Sequence, residues 1–245
     1  MAIKSISYKH KTFQISYDVV NPEKSKTMIF LHGWGSNKEL MKKAFGESMD
    51  AFRHVYIDLP GFGNSTCNRA LETEDYANII ELFLAQINAN QDHIVLGHSF
   101  GGKVGLLLNP QILILVGSAG IPVPKPLKIK AKIALFKMIK FTGITKLRSM
   151  FVSEDAKQLS EIMYQTFKNV VNEDFTQTFK EYSGKALLCW GKDDTATPLW
   201  TAEKMVEIMN DARLVVYKGD HYFFMDQAEE VAKEIETTVL QTLQH

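Results

Sequence analysis

With 245 residues, 45% of them hydrophobic and 23% charged, the chain can bury a core without disulfide or metal staples and is too apolar to be disordered. Its 28 basic and 28 acidic side chains cancel, so the basic excess expected of a nucleic-acid binder is missing. Cys67 and Cys189 are isolated thiols, and the N-terminal residues Met1 to Tyr8 lack the apolar run of a signal peptide. A single domain over residues 1–245, in a reducing and cytoplasmic setting, is therefore expected.

The elements follow in chain order. Ile3 to Tyr8 and Thr12 to Tyr17 alternate polar and apolar residues and predict a hairpin. Met28–Leu31, Val55–Ile57, Ile94–Leu96, Ile112–Val116, Ala186–Trp190 and Leu214–Tyr217 are short apolar runs closed by glycine or a turn. Runs of this kind predict strands covered on both faces. Between them lie helical patterns over Glu39–Phe52, Thr73–Asn90, Ser99–Leu108 and Pro198–Met209, and a last one over Gln227–Leu243. That last pattern gathers Ala228, Val231, Ala232, Ile235 and Val239 on one side. Alternation of this type predicts an α/β fold, a mostly parallel central sheet with helices on both faces.

One stretch breaks the rhythm. From Pro122 to Ser183 there is no βα unit, only a proline-rich entry and helical patterns, with eight basic and no acidic residues between Pro122 and Arg148. A helical lid at about 122–183 is expected there. Lys128, Lys132, Lys137 and Lys140 lie off an apolar face that includes Leu127, Met138 and Phe141. The plain expectation is a solvated cap helix. The sharper one is a basic face for an acidic carrier protein or an anionic surface.

The strongest chemical signal is Gly97-His98-Ser99-Phe100-Gly101-Gly102, directly after one predicted strand and directly before a helix. A G-x-S-x-G sequence in that context is a nucleophile elbow: a cramped turn pushes the serine hydroxyl above the sheet, beside the free N–H groups of a helix start. Serine is a weak nucleophile without a base and an acid that orients the base. Gly191-Lys192-Asp193-Asp194 places an aspartate after one strand, and Gly219-Asp220-His221 places a histidine after the next. The loop His32-Gly33-Trp34-Gly35 follows the strand beginning at Met28. The amides of Trp34 and Phe100 are candidates for an oxyanion hole, where one donor is worth about 3 kcal/mol of barrier. The Trp34 ring is a candidate pocket wall.

These residues resemble the α/β-hydrolase superfamily over nearly the whole chain. The HGWG loop, Asp58-Leu59-Pro60-Gly61-Phe62-Gly63-Asn64-Ser65, the GHSFGG elbow, the G-x-x-D-x-x-x-P segment and the late histidine occur in that family's order. The resemblance implies catalytic Ser99, Asp194 and His221, with Asp194 rather than Asp193 as the acid. It implies a serine hydrolase of a carboxylic ester or thioester, without cofactor, closest in motifs to acyl-carrier methyl-ester esterases and small carboxylesterases. Leu127, Phe136, Met138 and Phe141 of the lid, with Trp34, would form an apolar acyl pocket. The same triad also serves carbon–carbon bond hydrolases and lyases, and the fold also occurs in non-catalytic ligand-binding proteins.

Other polar residues carry structural expectations. His32 and His98 should brace their loops locally, Asp58 should fix the turn at Pro60–Gly63, and Asp220 should be exposed. The seven histidines are scattered, so no metal site is expected, and Gly61-x-Gly63 lacks the remainder of a dinucleotide fingerprint.

Overall fold

The computed structural model describes residues 1–89, 94–123 and 154–244. Eight strands form one sheet: β1 (Ala2–Tyr8), β2 (Lys11–Val20), β3 (Thr27–Leu31), β4 (Arg53–Ile57), β5 (Ile94–His98), β6 (Ile112–Val116), β7 (Lys185–Gly191) and β8 (Ala212–Tyr217), in the spatial order β1-β2-β4-β3-β5-β6-β7-β8. The first two form the expected hairpin, and β2 also runs antiparallel to β4. Every pairing from β4 through β8 is parallel. The helices are α1 (Lys38–Phe45), α2 (Thr73–Gln86), α3 (Phe100–Leu107), α4 (Glu154–Val170), α5 (Thr176–Glu181), α6 (Leu199–Ile208), α7 (Phe223–Asp226) and α8 (Ala228–Leu243).

Successive strand residues point to opposite faces, and the buried side chains sort by that period of two. Met28, Phe30, Leu96 and Ile114 join one core with α1, α7 and α8. Ile29, Leu31, Val95 and Leu113 join the other with α2, α3, α5 and α6. Both faces of the central strands are thus dry, which is why they read as unbroken apolar runs.

Two helices end earlier than their apolar patterns. Helix α1 stops at Phe45, where Gly46 donates to the Lys42 carbonyl (2.8 Å), and Met49 is left-handed at φ 56°. Helix α2 stops at Gln86, and Asn88 is left-handed at φ 53°. Met49, Phe52 and Ala89 are buried all the same, so the pattern of burial outlasts the helices. Between β6 and β7 lie α4 and α5. The residues expected to form the lid pocket, Leu127, Phe136, Met138 and Phe141, and the lysines from Lys128 to Lys140, fall outside the described residues. Among the described residues no helix is long and apolar enough to cross a membrane.

Candidate active site

Strand β5 leads into α3 through one residue, Ser99, held at φ 52° and ψ −114°. A non-glycine residue in such a conformation stores about 1–3 kcal/mol of strain, which the surroundings must over-determine. They do so through three backbone bonds of about equal length. The Ser99 amide donates to the Val116 carbonyl at the end of β6, and the Ser99 carbonyl accepts from Gly102 and Ala119, each at 3.1 Å. The elbow glycines are steric necessities: a Cβ on Gly97 would strike the Gly101 backbone, and one on Gly101 would strike the Leu31 carbonyl.

One residue beyond Val116, Gly117 lies against the imidazole of His221 and the carboxylate of Asp194; a Cβ there would come within 3.2 Å of both Asp194 Oδ2 and His221 Nδ1. The carboxyl ends of β5, β6, β7 and β8 thus bring Ser99, Asp194 and His221 to one edge of the sheet. Asp194 is buried and fully satisfied. Its Oδ1 accepts from the amides of Ala196 and Thr197 (2.8 Å each), and its Oδ2 accepts from Thr197 Oγ1 (2.8 Å) and His221 Nδ1 (2.7 Å). Facing a carboxylate, Nδ1 carries the ring proton, which leaves Nε2 as the basic nitrogen. That nitrogen is buried and has no hydrogen-bond partner among the described residues. Asp193 is exposed, and Asp220 is exposed as well.

His32 braces its own loop locally, as expected, and also reaches Leu59, whereas His98 reaches a distant loop. His32 Nε2 accepts from the Leu59 amide (3.0 Å), so its Nδ1 carries the proton and donates to the Gly33 carbonyl (2.8 Å). Complete burial holds His32 down at about 4, keeping it neutral. His98 Nε2 donates to the backbone carbonyl of His221 (3.1 Å), tying the elbow to the histidine loop 123 positions away; burial also pushes its pKa well down. Asp58 does hold its turn, accepting from the Asn64 amide (3.0 Å). It also pairs with buried Lys38, taking the amide at 2.8 Å and the ammonium at 3.2 Å. The sequence offered no reason to expect that ion pair.

Trp34 is half-buried, and its ring packs against Phe62, Phe100 and Phe167 at centroid distances of 4.9, 5.5 and 5.3 Å. The Phe100 amide opens α3 and has no carbonyl one turn back to accept it. Ser99, Trp34 and Phe100 line one cavity of about 130 Å³, with Ile121, Phe167 and Val170 supplying apolar wall. Four polar residues that the sequence reading passed over also line it or brace it: Thr197, Ser118, Lys103 and Glu173. A lysine inside the otherwise apolar α3 was the one available signal.

Among the described residues no group of three or more His, Cys, Asp or Glu side chains is placed to hold a metal ion. A family model, described as the alpha/beta hydrolase family, matches residues 28–234. The chain belongs to the alpha/beta hydrolase family. It is 24% identical over 244 aligned residues to the 2-hydroxy-6-oxononadienedioate/2-hydroxy-6-oxononatrienedioate hydrolase of Burkholderia vietnamiensis, covering 84% of each chain. A shorter stretch of 77 residues is 39% identical to the pimeloyl-acyl-carrier-protein methyl ester esterase of Pectobacterium carotovorum, 31% of this hydrolase-family chain and 28% of that one. Several other curated relatives are matched over only 26% to 31% of their length. Among solved structures, a thermophilic esterase from Thermogutta terrifontis superposes with a TM-score of 0.76 at 17% identity, covering 98% of this chain and 99% of that one; the likeness is one of fold.

Proposed function

We propose that this alpha/beta hydrolase is a serine hydrolase that cleaves a carboxylic ester or thioester through an acyl-enzyme. The observation that carries the reading is the buried Asp194–His221 pair with an unspent Nε2, on the same sheet edge as a strained Ser99. Ser99 Oγ attacks the substrate carbonyl as its proton passes to His221 Nε2. The carbonyl oxygen becomes an oxyanion, received by the Trp34 and Phe100 amides. The imidazolium, steadied by Asp194, then gives that proton to the departing alkoxide or thiolate. Water repeats the attack with His221 as base, and the proton returns to Ser99 as the acid leaves. The buried thiols of Cys67 and Cys189 support a reducing, cytoplasmic setting.

The whole-length relative from Burkholderia vietnamiensis supports a second reading, hydrolysis of a carbon–carbon bond beside a carbonyl by the same residues. A fluorophosphonate probe tests the first. Labelling of the wild type that disappears in Ser99→Ala is the expected result, together with release of p-nitrophenol from short-chain esters. Folded wild-type protein that takes up no probe overturns the acyl-enzyme.

A further inference from the structure

Lys103 lies one helical turn beyond Ser99 on α3, at 3% exposure. Its Nζ donates to the Val170 carbonyl at the C-terminal end of α4 (2.7 Å) and to Glu173 Oε2 (2.5 Å), and stands over the Phe175 ring at 4.6 Å. Glu173 accepts in turn from the hydroxyl of Thr73, a fully buried residue at the start of α2. Lys103 and Glu173 both line the cavity that Ser99 and Trp34 line. Burial drives the Lys103 pKa down and the Glu173 carboxylate opposes that shift.

The charges of the pair cancel, and each partner is already bonded to protein groups. A substrate carboxylate entering this cavity would find no unpaired cation among the described residues. Beside Glu173, which is 27% exposed, it would be a second anion without a partner of its own, which is disfavoured. A methyl group at the same position meets neither penalty, and rejection of this kind is how a pocket discriminates without any new attraction.

We propose that the Lys103–Glu173 pair is a specificity determinant that makes this pocket accept an uncharged acyl group and reject one ending in a carboxylate. This rests on the acyl-enzyme reading above. It separates the chain from its relative in Burkholderia vietnamiensis, whose named substrates are dioates.

The test compares kcat/KM for p-nitrophenyl valerate and mono-p-nitrophenyl glutarate, which share chain length and differ by a methyl or a carboxylate at the end. The wild type should favour valerate by about ten-fold or more. Glu173→Gln removes the anion that an incoming carboxylate would face and should shrink that ratio about ten-fold, chiefly by raising the glutarate rate. Lys103→Met leaves Glu173 alone and should widen the ratio, so either variant decides the matter if the other does not fold. Probe labelling of Ser99 certifies each variant. A ratio that stays put in labelled variants overturns the role of the pair and spares the acyl-enzyme, whereas an unlabelled wild type overturns both.

Discussion

Two carboxylates stand near the cavity, Asp194 buried and Glu173 partly exposed, and they are satisfied in opposite ways. Asp194 takes four hydrogen bonds, yet its partner His221 keeps a nitrogen with no bond at all. Glu173 takes a lysine and a threonine, and its partner Lys103 has a backbone carbonyl and an aromatic ring besides. In the proposed mechanism the first arrangement holds a reactive atom still and leaves it unspent. The second closes a circuit in which nothing is left to react. On the proposed reading, the pair with an unsatisfied member serves the chemistry and the satisfied pair shapes the wall.

The contrast can be broken at its reactive end first. Asp194→Asn keeps the shape but reverses the hydrogen-bonding logic at Nδ1, and should lower kcat by about 10⁴. Asp193→Asn, on an exposed side chain, should stay within about two-fold in the same ester assay. The reverse order would move the acid by one position.

At the inert end, Glu173→Gln strips a buried ammonium of its counter-charge. Glu173 itself is 27% exposed, so water can soften the effect, and a loss of about 1–3 kcal/mol in urea unfolding is expected. Thr197→Val sharpens the comparison, because it removes one of the four bonds to Asp194 without touching the charge. A charge-assisted bond of about 1.5 kcal/mol predicts a roughly ten-fold fall in kcat with KM little changed. An unchanged kcat would make Thr197 a packing residue only.

A further effect concerns stability against pH. Burial lowers His32 from 6.5 to about 4 and pushes His54 and His98 down as well. The unfolded chain therefore binds protons that the folded chain refuses across that window. The His32 contribution is complete above pH 6.5 and is lost as the pH falls toward 4, by up to about 1.4 kcal/mol per unit, and His54 and His98 act in the same direction. Melting temperatures that fall steadily from pH 7 to pH 5 are the expected observation, and a flat profile would mean that these rings are solvated.

Legibility differed by residue. Ser99 was visible because its backbone conformation demands glycines at 97 and 101, and that demand is written within six positions. His221 and Asp194 were visible through their places after β8 and β7 and through the order of the family. The bracing by His98 is not local as its motif suggests, because its partner is the His221 carbonyl in another loop. Lys38 reads as an ordinary surface lysine of an amphipathic helix and is instead buried at 1% exposure against Asp58. The ends of α1 and α2 were overextended because an apolar pattern reports burial, and burial continues after the helical hydrogen bonds stop.

Period and steric need are local properties, so the residues alone determined the alternating α/β order, the parallel strands with two dry faces, the elbow and the family. Which polar side chains meet is a different kind of quantity. Lys103 and Glu173 are 70 positions apart, Lys38 and Asp58 20, and no spacing rule joins either pair. Only the packing of α3 against the end of α4, and of α1 against the loop after β4, decided that those charges are buried together. A charge taken out of water has to find a partner wherever the chain's path happens to bring one, and that path is set by the whole core.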